Sequence, residues 1–259
     1  LAYLQPSGSR SDTTIASPPN ILLAYHNYLL IGVDSGLDVN NFNTGKIEHR
    51  DLISNSPTKI LGEATDTITA ITVAKNGRIW LGTLNGDLLT TELNPETHDA
   101  YKTYNASSIQ GSILAILQLS KNLMLLATTS GQLITFNLKT LAFDNIDTQP
   151  DLHVVYISLL ETGLGNTLIV GANSGLYIYT LSVDYNSRVE LHLTYGHQIS
   201  NFPILSLYKE NPTSYWIGTP QGLQHYCSYS QPTEIISCKG EFAFTLPSLP
   251  IKCIAPGIG

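Results

Sequence analysis

The sequence predicts an all-β chain, a β-propeller of four-stranded blades with about five complete blades and partial blades at both ends, spanning residues 1–259 as part of a longer propeller or multidomain protein. Three observations carry that reading: one template recurs along the chain, its period is that of a propeller blade, and each copy divides into short strands separated by turns.

The template appears as Leu29-Leu-Ile-Gly-Val-Asp-Ser-Gly36, Ile79-Trp-Leu-Gly-Thr-Leu-Asn-Gly86, Met124-Leu-Leu-Ala-Thr-Thr-Ser-Gly131, Leu168-Ile-Val-Gly-Ala-Asn-Ser-Gly175 and Tyr215-Trp-Ile-Gly-Thr-Pro-Gln-Gly222. Its closing glycines fall at 36, 86, 131, 175 and 222, in steps of 50, 45, 44 and 47 residues. Periods of this size belong to solenoids, propellers and arrays.

Within a copy the elements follow in a fixed order. An apolar run such as Ile68-Thr-Ala-Ile-Thr72 comes first, then a short polar turn, then a β-rich run such as Leu81-Gly-Thr83. A turn closing on glycine leads to a third run such as Leu176-Tyr-Ile-Tyr-Thr-Leu181. Short runs rich in Ile, Val, Thr and Tyr, bounded by Gly, Asn, Asp and Ser, read as strands. No stretch shows the three-and-four apolar spacing of a helical repeat. Four short strands in roughly 40 to 45 residues is the pattern of a propeller blade.

The two ends fit the same template. Leu1-Ala-Tyr-Leu-Gln-Pro6 matches a third run, and Ile251-Lys-Cys-Ile-Ala255 matches a first run. The ends therefore either share one blade that lacks a strand, giving about six blades, or belong to a piece of a longer propeller. The second is favoured, because a missing central strand leaves two neighbours with unpaired backbone groups.

Composition narrows the function classes. With 42% hydrophobic residues the chain can fill a core, and with 13% charged residues its solubility rests on neutral polar groups. A net charge of -7 without Lys or Arg clusters argues against nucleic acid. No apolar stretch reaches the roughly 18 residues of a membrane span.

Glycines that close short turns supply positive φ or close strand approach, which is a folding need. Trp80 and Trp216 occupy equivalent repeat positions, so packing between blades is their expected role. His26, His49, His98, His153, His192, His197 and His225 are spread over the chain, and only His192 and His197 stand close together, so no metal site or cofactor is expected. There is no Gly-x-Ser-x-Gly elbow, phosphate loop or His-Glu-x-x-His segment. Glu161, Glu210 and Glu241 could in principle pair as glycosidase carboxylates, but separation in space is not read from spacing in sequence. A binding role is favoured over an enzyme.

The loops leading into each blade's first strand are the candidate binding surface. They are Glu63-Ala-Thr-Asp66, Tyr104-Asn-Ala-Ser-Ser108, Gln149-Pro-Asp-Leu-His153 and Tyr195-Gly-His-Gln-Ile-Ser-Asn201. Equivalent loops converge on one side of a propeller. Asp66, Tyr104, Asn105, Tyr195, His197 and Asn201 are the expected ligand residues, since aromatic rings, imidazole and amides suit a sugar or peptide. For each residue alone, an ordinary solvated turn is the competing reading.

Cys227 and Cys238 flank a segment with the turn-forming Gln231-Pro232 near its centre. A hairpin turning there could oppose them within disulfide reach, leaving Cys253 free, if the chain matures in an oxidising compartment. Buried, unpaired thiols are the alternative.

Ile79-Trp-Leu-Gly-Thr83 after Lys75-Asn-Gly-Arg78, and Trp216-Ile-Gly-Thr219 followed by Gly222-Leu223, resemble the two-component regulator propeller repeat. The segment Gly196-His-Gln-Ile-Ser-Asn-Phe-Pro-Ile-Leu-Ser-Leu207 is similar to that family's loop and first strand. Two of the five copies keep the tryptophan, and Ala127 replaces one glycine. The resemblance implies the periplasmic or extracytoplasmic sensor part of a bacterial signalling receptor, such as a hybrid histidine kinase, that takes a small molecule or oligosaccharide. Another protein or a second copy of the chain are further expected partners, and a scaffold propeller for protein–protein interaction is the alternative function.

Overall fold

The computed structural model describes residues 3–4, 10–11, 19–51, 67–92, 101–104, 108–146, 154–162, 165–184, 189–193, 202–211, 214–227 and 236–237. A two-stranded sheet of β1 (Tyr3–Leu4) and β2 (Arg10–Ser11) is followed by five four-stranded blades. The first holds β3 (Ile21–Tyr25), β4 (Tyr28–Val33), β5 (Gly36–Asn41) and β6 (Lys46–Asp51). The second holds β7 (Ile68–Val73), β8 (Arg78–Thr83), β9 (Leu88–Glu92) and β10 (Lys102–Tyr104). The third holds β11 (Ile113–Ser120), β12 (Leu123–Thr128), β13 (Leu133–Asn137) and β14 (Ala142–Ile146). The fourth holds β15 (Val154–Thr162), β16 (Gly165–Ala172), β17 (Gly175–Val183) and β18 (Val189–Leu193), and the fifth β19 (Ser206–Asn211), β20 (Ser214–Thr219), β21 (Gly222–Cys227) and β22 (Ile236–Ser237).

Each blade is a meander in which sequence neighbours are sheet neighbours, the order expected of a propeller. The chain divides into two compact units, Leu1–Ala106 with Gly111–Ile116, and Ser107–Gln110 with Leu117–Gly259. Among the described residues no helix is long and apolar enough to cross a membrane. β1 pairs with β2 in antiparallel fashion, Tyr3 opposite Ser11 and Leu4 opposite Arg10. Residues 251–255, read as a first run, lie outside the described residues.

The second strands β4, β8 and β12 are largely buried on both faces, which is why they read as nearly continuous apolar runs rather than as alternation. First and fourth strands alternate or carry polar residues, as in β3 and β14. In the first unit a core of Leu30, Leu37, Ile68, Ile71, Ile79 and Leu81 joins the first two blades. In the second unit Ile169, Leu176, Ile204, Tyr215 and Ile217 form a comparable cluster.

The glycine in the middle of the second strand has a specific cause. A Cβ on Gly32 would come within 2.7 Å of Ile21 Cγ2 and 2.8 Å of Ile68 Cγ2, and one on Gly82 within 2.6 Å of Ile113 Cγ2. Ile68 and Ile113 begin the first strands of the following blades, so these glycines admit the next blade. The Thr69 hydroxyl strengthens this joint, donating to the Ile113 carbonyl at 2.6 Å.

Register separates two turn classes that the glycine spacing had merged. Gly32 pairs with Leu37, Gly171 with Leu176 and Gly218 with Leu223, whereas Gly82 pairs with Leu88 and Ala127 with Leu133, one residue further on. In the longer turns Gly86 and Gly131 take φ of 84° and 85°, left-handed values that favour glycine. The preceding threonine closes these turns, with Thr83 Oγ1 accepting the Asp87 amide at 3.0 Å and Thr128 Oγ1 accepting that of Gln132 at 3.3 Å.

The fifth blade departs from the symmetric hairpin expected between Cys227 and Cys238. The observed pairs are Gln224 with Ser237 and His225 with Ile236. A hairpin that opposes Cys227 to Cys238 pairs position 224 with 241, so the register differs by four residues and does not supply the opposition on which the bridge was argued. Cys227 ends β21, and Cys238 and Cys253 lie outside the described residues.

Candidate functional site

Of the six expected ligand residues, Asp66, Asn105, Tyr195, His197 and Asn201 lie outside the described residues. Tyr104 is described and ends β10. Its ring stacks on Trp80 with centroids 5.9 Å apart, and the Lys102 ammonium sits 4.9 Å from its centroid. Trp80 is fully buried at the middle of β8. Tyr104 is therefore held by packing and by a cation–π contact.

One lead-in loop is partly described, before β11. Gln132 reaches it from the β12–β13 turn: its Oε1 accepts the Gln110 amide at 2.9 Å and its Nε2 donates to the Ser108 carbonyl at 3.2 Å. The Ser130 hydroxyl donates to the Gln110 carbonyl at 2.8 Å. A lead-in loop and the turn between second and third strands are thus bonded into one surface, as a binding loop on a rigid support requires.

At the other ends of the strands, in the first unit, lies a cavity of about 430 Å³ lined by Tyr25, His26, Tyr28, Asn76, Gly77, Arg78 and Glu92. The β3–β4 hairpin supplies the two tyrosines and the histidine, and the β7–β8 turn supplies Asn76 to Arg78. His26 has φ of 50°, unusual for a residue with a side chain, and Gly77 has φ of 81°. Arg78 Nη2 donates to Glu92 Oε1 at 2.7 Å, joining neighbours across β8 and β9. Sequence reading missed this site because it treated the first turn of each blade as a connector. The available signal was Tyr25-His26-Asn27-Tyr28, a tight turn flanked by aromatics that lacks glycine.

In the fifth blade Glu210 gathers donors from two neighbouring strands. Ser214 Oγ and His225 Nε2 both lie 2.8 Å from Glu210 Oε2, and the His225 ring packs on Trp216 with centroids 4.4 Å apart. The bond to His225, then that to Ser214, hold the Glu210 carboxyl below its usual range, with Trp216 assisting. Serine here bonds the carboxylate rather than the imidazole, so the three do not form the relay of a hydrolase. Of the other carboxylates considered, Glu161 stands in β15 and Glu241 lies outside the described residues.

Tyr179 is buried on β17, stacked against Tyr177 with centroids 6.4 Å apart. Burial, aided by Tyr177, pushes its phenol up to about 12. Its hydroxyl has no hydrogen-bond partner among the described residues.

Residues 62–85 match the family model described as two component regulator propeller. No curated protein matches the chain. Among solved structures, the extracellular domain of BT4673 from B. thetaiotaomicron, described as a hybrid two component system, is similar with a TM-score of 0.60 at 19% identity, over 89% of this chain and 30% of that one. The β-propeller domain of Cps50 (Swd1) from Myceliophteria thermophila is similar with a TM-score of 0.62 at 12% identity, over 86% and 70%. PorZ of Porphyromonas gingivalis, a surface component of the type-IX secretion system, gives 0.52 at 14% identity, over 88% and 28%. At these identities the likeness is one of fold, and the chain spans less than a third of the length of BT4673's extracellular domain. Residues 62–85 carry a two component regulator propeller repeat, set within a β-propeller of five four-stranded blades.

Proposed function

We propose that this chain is the ligand-sensing propeller of a bacterial signal-transduction receptor, acting outside the cytoplasm and taking a small molecule or an oligosaccharide on its lead-in loops. The observation that carries the reading is the family match over residues 62–85, which covers β7, β8 and the turn that follows. The likeness in fold to an extracellular domain of a two component system supports it. The bonding of Gln132 and Ser130 to residues 108–110 supports the choice of surface, since it shows how such a loop is held in place. Asp66, Tyr104, Asn105, Tyr195, His197 and Asn201 remain the proposed contacts, with the Tyr104 ring stacked on Trp80.

The test is a thermal-shift screen of the purified chain against neutral oligosaccharides and small polar metabolites. A ligand present at about 100 times its dissociation constant raises stability by roughly 2.7 kcal/mol. A screen without a shift, together with stable capture of a protein partner, would favour the scaffold reading.

A further inference from the structure

We propose that the cavity between the β3–β4 hairpin and the β7–β8 turn binds a free α-amino acid with an aromatic or aliphatic side chain. Its volume of about 430 Å³ falls within the roughly 300 to 1,000 Å³ of small-molecule sites. Its backbone is shaped at a cost. His26 holds φ of 50° in a two-residue turn between the paired Tyr25 and Tyr28, a conformation that glycine adopts without strain. The side chain recovers little by packing, being exposed, with the edge of Tyr25 at a centroid distance of 4.2 Å. Strained residues of this kind gather at ligand clamps.

The charges select the ligand. Arg78 and Glu92 lie side by side at the cavity with side chains 38% and 61% exposed, and their charges cancel. A ligand with one charge gains from one of them and loses to the other. A zwitterion with its carboxylate beside Arg78 and its ammonium beside Glu92 gains from both and leaves their bond intact. The bond uses Arg78 Nη2 and Glu92 Oε1, so the guanidinium keeps Nη1 and Nε as donors and the carboxylate keeps Oε2 as an acceptor. Asn76 Oδ1 accepts the Arg78 amide at 3.2 Å, which leaves its Nδ2 to donate to a carboxylate. Half-buried Tyr25 and Tyr28 offer ring surface to an apolar side chain.

This adds to the sensing reading a second site with its own chemistry, and its test uses amino acids alone, so failure here leaves the lead-in-loop site unaffected. The experiment is calorimetric titration of the whole chain with phenylalanine, tyrosine, leucine and methionine, with N-acetyl-phenylalanine amide and glucose as comparators. Saturable binding of at least one free amino acid is expected, and none of either comparator. Arg78→Gln and Glu92→Gln should each weaken binding about tenfold, the scale of one charge-assisted hydrogen bond. His26→Gly should preserve or raise the melting temperature while weakening binding, which separates recognition from folding. Absence of binding by all four amino acids, equal binding of a comparator, or unchanged affinity in folded Arg78→Gln or His26→Gly would overturn the proposal.

Discussion

His225 Nε2 stands 2.8 Å from Glu210 Oε2, bridging from β21 to β19 across the strand between them. The carboxyl of Glu210 lies below its ordinary value of 4.5 because His225 and Ser214 bond its ionised form. A depressed carboxyl contributes stability above its unfolded-state value and loses it as pH falls through the folded-state value. Glu210→Gln should therefore lower the urea midpoint at neutral pH, and the gap from the parent chain should close as pH drops below 4.5. A gap that persists undiminished in acid would show that packing, rather than charge, explains the contact. Both groups are partly exposed, so salt should narrow the gap as well.

Gly32→Ala and Gly82→Ala each place a methyl within 2.8 Å of an isoleucine on the next blade's first strand. Overpacking of this kind costs about 1 to 3 kcal/mol. Urea unfolding should show that loss for both, and a neutral result would mean that the blades separate without strain. Ala127, at the equivalent place in β12, is itself fully buried, so the third blade accommodates the methyl that the first two exclude.

Tyr179→Phe removes a buried hydroxyl that has no partner among the described residues. An unpaired buried polar group costs about 1 to 3 kcal/mol. The variant should be as stable as the parent or more so in thermal melts, and a clear loss would reveal a bond to the hydroxyl.

The blades were legible in the sequence because stacking blades buries the second strands on both faces, and that burial imposes an apolar run in each copy and a glycine in four of the five, with Ala127 in the remaining one. Thr83 and Thr128 repeat for a local reason as well, since each closes its own turn. Register was not legible. Gly36 and Gly86 align in the template, yet the strand after Gly86 pairs one residue later. The partner of Gln224 was likewise displaced from the symmetric position. The cavity was hidden for a topological reason: Tyr25 and Arg78 meet there only because consecutive blades pack together, and neither residue belongs to the repeated template. Glu210 was noted as a carboxylate, but its bonds to Ser214 and His225 form where the pairing of β19 with β20 is irregular, between Lys209 and Asn211.

The most direct test of ligand sensing is calorimetric titration of the purified chain, and of its Tyr195→Ala and His197→Ala variants, with the strongest oligosaccharide or small molecule from the screen. The account expects saturable binding by the parent chain and markedly weaker binding by both variants. The lead-in-loop proposal puts both residues on the surface, so the variants' melting temperatures should scarcely move, as exposed substitutions stay within about 0.5 kcal/mol. Unchanged affinity in both variants would contradict the lead-in-loop site, and the absence of any saturable ligand would contradict the sensing function itself.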